Sequence, residues 1–124
     1  MNLNASDLRP FIPAHDFALS RRFYQALGWK ETWADDTMVL LELGDCRFYL
    51  QAYHVKDWAD NCMLHISVED AQAWHSHVEK LLAGGAFPGA RVAPPKAEPY
   101  GATVTYVWDP SGVLLHLAQW TTAS

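Results

Sequence analysis

Two aspartates frame this chain. Asp16 precedes Phe17, Ser20, Phe23, Tyr24 and Leu27 at helical spacing, with Gly28 as the stop. Asp70 precedes Ala71, Trp74, Val78, Leu81 and Leu82, with Gly84-Gly85 as the stop. The caps lie 70 − 16 = 54 residues apart and the stops 84 − 28 = 56. A repeat of nearly half of 124 residues restricts the fold to two copies of one supersecondary unit, each burying its sheet face against the other.

The remaining segments read as strands. Residues 8–14 form an irregular or edge strand, because Pro10 and Pro13 cannot donate to a ladder. After the first helix come strands at 29–33, 38–43 and 47–53, separated by turn chemistry at Asp35-Asp36 and Gly44-Asp45. Residues 56–61 read as a polar link. The order then restarts: a strand at 62–68, the second helix, a Pro- and Gly-rich stretch, and strands at 102–108 and 113–120 around the tight turn Asp109-Pro110-Ser111-Gly112. Between Gly84 and Gly101 there is room for at most one short strand near 91–93. That stretch is either a flap over a site or an ordinary surface loop. The expectation is an α+β domain spanning 1–124, made of two βαβββ modules at about 7–55 and 61–121.

Charge excludes some partners. Nine Lys and Arg against 14 Asp and Glu give 9 − 14 = −5, and the densest basic cluster is Arg21-Arg22. Such a chain does not neutralise phosphates, so neither nucleic acid nor an anionic membrane surface is expected as a partner. No apolar run is long enough to span a bilayer. The first seven residues carry neither a basic nor an apolar leader region, so a cytoplasmic location is expected. Cys46 and Cys62 lack metal or disulfide spacing and read as free, largely buried thiols. No Gly-rich phosphate loop or Gly-x-Ser-x-Gly elbow is present. His75 and His77, two apart on a helix, face different ways and read as solvated, while His15 and His54 carry no spacing signal.

The first helix, Asp16-x-x-x-Ser20-x-x-Phe23-Tyr24-x-x-Leu27-Gly28, resembles the opening of vicinal-oxygen-chelate proteins. The ending, Tyr106-x-x-Asp109-Pro110-Ser111-Gly112-x-x-Leu115-x-Leu117, resembles their closing turn and strand. The superfamily includes glyoxalase I, extradiol dioxygenases, fosfomycin resistance enzymes and bleomycin-resistance proteins. The resemblance implies two βαβββ modules whose sheets curl into an open barrel-like cleft, with modules exchanged or shared in a homodimer in many members. It also implies that enzymatic members hold a divalent metal on His and Glu side chains, one from the first and one from the last strand of each module.

Carried over by position, those ligands fall on Arg9 (16 − 7), Met63 (70 − 7) and His116 (109 + 7), with Gln51 as the simplest fourth. Arg has only donors, Met is a soft thioether and Gln a feeble neutral ligand, so no metal and no cofactor are expected. A rescue would bring in His65, on the face of Met63, with Gln51 or Glu42. By strand parity Tyr49 and Tyr53 share the face of Gln51, and Phe11 that of Arg9. A cleft walled by Phe11, Tyr49, Tyr53, Met63 and His116 suits a planar aromatic or heterocyclic small molecule. In it Arg9 and Gln51 supply hydrogen bonds, unless Arg9 pairs with a ligand anion or with Glu42.

The expectation is therefore a metal-independent, homodimeric binding protein of the bleomycin-resistance type with ligand-binding residues Arg9, Phe11, Tyr49, Gln51, Tyr53, Met63, His65 and His116. The alternative is a metal-dependent lyase, transferase or dioxygenase using His116 and His65. A third reading is a metal-free enzyme with Arg9 as electrostatic stabiliser and His116 as general acid or base.

Overall fold

The computed structural model describes residues 1–121. Its elements run β1 (Phe11–Pro13), α1 (Phe17–Leu27), β2 (Lys30–Ala34), β3 (Met38–Leu43), β4 (Cys46–Gln51), α2 (Lys56–Asn61), β5 (Met63–Ser67), α3 (Ala71–Ala83), β6 (Arg91–Glu98), β7 (Ala102–Trp108) and β8 (Leu114–Trp120). They build two four-stranded sheets, ordered β1-β4-β3-β2 and β5-β8-β7-β6, so the repeat in the sequence is a repeat in topology. In each, the first strand pairs parallel with the last and the others pair antiparallel.

The caps form as the sequence requires. Asp16 Oδ1 accepts from the Leu19 N–H at 3.1 Å, and Gly28 closes α1 in the left-handed region. Asp70 Oδ1 accepts from the Ala73 N–H at 3.0 Å at the start of α3. α1 buries Ser20, Phe23, Tyr24 and Leu27, and α3 buries Ala71 and Val78. One core joins the modules: Ile12, Phe23, Tyr24, Phe48 and Leu50 from the first, with Ile66, Val78, Val107, Leu115 and Leu117 from the second. Tyr24 meets Trp29 and Phe48 edge-on, the favoured geometry for close-packed rings.

Three local expectations change. Residues 56–61 are a short helix; Ala59 is fully buried, and Lys56 pairs with Asp60 at 2.6 Å. β1 is only three residues long, although its ladder continues at both ends through Tyr49 N–H to Pro10 O and Ala14 N–H to Gln51 O. The Pro-rich stretch is no flap, because β6 runs eight residues along β7. Pro94 and Pro95 lie where the register shifts between Ala93 and Lys96 on this edge strand, the place where missing donors cost least.

The connection into β6 is anchored at Gly89. Its φ is +90°, and a Cβ there would lie 2.9 Å from the Pro110 carbonyl oxygen. A Gly89→Ala substitution is expected to cost about 1–3 kcal/mol in denaturant unfolding, from backbone strain and this clash together. An unchanged midpoint would show that the 86–90 turn moves freely.

Candidate ligand-binding faces

Each sheet has one face on the core and one turned away from the helices, and the register writes out the open faces. In the first sheet Phe11 pairs with Tyr49, Tyr49 with Leu40, and Leu40 with Trp33. The row is aromatic: Phe11 stacks on Tyr49 at 5.0 Å, and Trp33 meets Tyr49 edge-on at 6.5 Å. In the second sheet His65 pairs with His116 and His116 with Tyr106. The His65 ring lies 6.2 Å from His116 and 5.6 Å from Trp120, while Tyr106 meets His116 edge-on at 5.0 Å. Counting back five from each cap aspartate, Phe11 and His65 are equivalent, so Tyr49, and not Gln51, is the first-module counterpart of His116.

Arg9 sits at the end of the first row. Its Nε donates to Asp7 Oδ2 at 2.6 Å and its Nη1 to the Tyr49 hydroxyl oxygen at 3.0 Å. The Arg9 hydrogen bond holds the Asp7 carboxyl below its usual range. Arg9 does not take Glu42; that carboxylate pairs with Arg47 at 3.3 Å. Because Tyr49 accepts from Arg9, its own O–H is left to donate to a ligand acceptor.

The second face is built around His116. Its Nε2 is buried without a hydrogen-bond partner. Burial lowers its pKa below the ordinary imidazole value, the neighbouring His65 adds to this, and Glu98 opposes it. Glu98 itself accepts from the Tyr106 hydroxyl at 3.1 Å. Burial and that carboxylate push the Tyr106 phenol up to about 12, so it stays a neutral donor. A histidine with a lowered folded-state pKa stabilises the fold above its unfolded value near 6.5, and the contribution is lost as pH falls. The stability difference between the wild type and a His116→Asn variant is therefore expected to narrow as pH drops from 7.5 towards 5. A constant difference would place His116 in open solvent.

The sequence-derived residues do not all meet within one chain. Arg9, Phe11 and Tyr49 form one cluster; His65 and His116 form another. Met63 is 58% exposed and, with His65, lines a cavity of about 580 Å3 at the junction of the modules, opposite Asp7, Leu8, Pro10 and Arg47. Tyr53 leaves the strand: its N–H turns back to Gln51 O, and its ring packs against Trp58 of α2 at 5.6 Å. Gln51 and Tyr53 line a separate depression of about 370 Å3 with Thr37, Met38, Ala52 and Trp58. Trp33, Tyr106 and Trp120 belong to the open faces although strand parity did not single them out. Two surface expectations also change: Cys46 is exposed, and the His75 side chain is only 12% exposed.

The donor set at the positions where the sequence resemblance implies metal ligands does not suit a divalent ion. The equivalent positions carry Arg9, Tyr49, Met63 and His116, with a guanidinium bonded to the phenol. Among the described residues no group of three or more His, Cys, Asp or Glu side chains is placed to hold an ion. The ring centres of His65 and His116 lie 6.2 Å apart, wider than the roughly 5 Å of two imidazoles on one ion.

No family model matches the chain. It is 25% identical over 114 residues to a bleomycin resistance protein of Klebsiella pneumoniae, covering 89% of both chains. A bleomycin-binding protein from Streptomyces verticillus, solved as a complex with copper(II)-bleomycin, superposes with a TM-score of 0.78. The match is 23% identical and covers 95% of this chain and 98% of that one. A lactoylglutathione lyase from Agrobacterium tumefaciens superposes less well, at 0.69 and 15% identity, covering 94% and 95%. Among the described residues no helix is long and apolar enough to cross a membrane.

Proposed function

We propose that this chain of the vicinal-oxygen-chelate superfamily is a metal-independent binding protein that sequesters a planar aromatic or heterocyclic small molecule, bleomycin being the first candidate. The observation that carries the reading is the pair of aromatic open faces, which stand at the positions where the sequence resemblance implies metal ligands. Phe11, Tyr49 and Trp33 offer flat, polarisable surface, and Arg9 orients the Tyr49 hydroxyl as a donor. His65, His116, Tyr106 and Trp120 offer the opposing surface. Stacking supplies affinity and the few polar atoms set orientation.

The functional unit in this reading is a cytoplasmic homodimer. Phe11, Trp33, Met63 and Trp120 are each roughly half exposed in the single chain, at 48, 46, 58 and 45%. A two-fold dimer that sets the first module of one copy against the second module of its partner would close both faces into clefts. Light scattering of the purified protein tests this, and a monomer at micromolar concentration would contradict it.

The binding reading is tested in chelator-treated protein with a panel of planar antibiotics, bleomycin included. Tryptophan quenching, a ligand-dependent rise in melting temperature and recovery of the compound unchanged support sequestration. Recovery of a modified compound, or binding only after a divalent ion is restored, contradicts it.

A further inference from the structure

We propose that His15 and His54 form a surface site for a divalent transition-metal ion, separate from the two open faces. His15 lies in the turn between β1 and α1, and His54 in the link between β4 and α2. Pairing of β1 with β4 brings these exits of the first sheet to one corner. The two imidazoles approach to 4.7 Å between ring centres, at an interplanar angle of 56°.

That tilt is not the near-parallel arrangement of stacked rings. The separation is that of two imidazoles sharing one ion. With metal–nitrogen bonds of about 2.0 Å, two imidazoles on a shared ion have ring centres roughly 5 Å apart. Both residues are exposed, so the pair is open to solvent and water can complete the coordination. The corner is held independently of the rings: the His15 backbone N–H donates to Ser111 Oγ at 2.9 Å, and Ala14 N–H to Gln51 O at 2.8 Å. The backbone that carries His15 is thus fixed without the imidazoles taking part in it.

Two neutral nitrogen ligands favour ions late in the first transition series, with Cu2+ held most tightly. The ion would tie together two connections already in contact. It would also fix the segment after Tyr53, whose ring and that of Trp58 border the 370 Å3 depression.

The test uses Cu2+ alone, added to the chelator-stripped, dialysed full chain and followed by calorimetry and electron paramagnetic resonance. The expected result is one equivalent bound with hyperfine coupling from two imidazole nitrogens. His15→Gln and His54→Gln should each weaken binding roughly tenfold or more and remove one nitrogen from the spectrum. His116→Gln should leave both unchanged. Affinity that survives in both His15→Gln and His54→Gln overturns the site. Loss in His116→Gln alone would move the ion to the open face, contradicting the metal-independent function as well.

Discussion

Replacing Asp109 with alanine is expected to lower unfolding free energy by roughly 3 kcal/mol, because several buried donors lose their acceptor at once. Asp109 is fully buried. Its Oδ2 accepts from the Tyr24 hydroxyl at 2.7 Å, and its Oδ1 accepts the backbone N–H groups of Ser111 at 2.8 Å and Val113 at 3.0 Å. One side chain thus ties the helix of the first module to the closing turn of the second. For a domain of this size the loss is a fall in melting temperature of roughly 10 °C. A fall of a degree or two would mean that the modules hold together through apolar packing alone.

The same carboxyl carries a pH signature. Burial raises its pKa to about 6 from 3.8, against the pull of its hydrogen bonds. A carboxyl whose folded value lies above its unfolded one binds its proton more tightly in the fold. Its contribution is fully present below the unfolded value and is lost as pH rises through the folded one. The window here is about pH 4 to 6. Asn keeps an acceptor for the two backbone donors and cannot ionise. The penalty of Asp109→Asn should therefore shrink between pH 4.5 and 7.5, by up to about 2 kcal/mol. A penalty that grew with pH would show Asp109 stabilised as the anion.

The second large effect belongs to Tyr49, at the centre of the aromatic row. Tyr49→Ala removes a ring that touches Phe11 and Trp33 and the hydroxyl that Arg9 orients. Ligand affinity should fall about 30-fold, the cost of removing a central aromatic anchor of roughly 2 kcal/mol. Tyr49→Phe keeps the ring and loses one hydrogen bond, so a loss of about fivefold is expected. Parallel losses of equal size would assign the affinity to the hydroxyl instead of to stacking. No loss in either would move the ligand off this face.

The fold was legible because its signals are local and repeated. Asp16 and Gly28, with Asp70 and Gly84, mark the two long helices, and the Asp109 turn marks the last hairpin. The short helix at 56–61 hid behind its polar composition; its one fully buried residue is Ala59.

The site was legible only in part, and for a geometric reason. Side-chain parity holds while a strand is regular, and β2 shifts register between Glu31 and Trp33. Trp29 and Trp33 look like neighbours on one face, yet Trp29 is buried in the core while Trp33 lies against Tyr49 on the open one. Matching Gln51 to His116 failed similarly. The β3–β4 hairpin turns in two residues and the β7–β8 hairpin in five, so counting from the turn misplaces the equivalent position. Tyr53 was assigned by parity to a strand that ends at Gln51.

The most direct test compares one dissociation constant under two conditions. A planar ligand from the panel is titrated into the wild-type protein by tryptophan fluorescence, first as purified and then after exhaustive chelation. Affinity that rests on aromatic rows and the Arg9–Tyr49 hydrogen bond should agree between the two within about twofold, a free-energy difference below roughly half a kcal/mol. Binding abolished by the chelator and restored by one equivalent of a divalent ion would contradict the account.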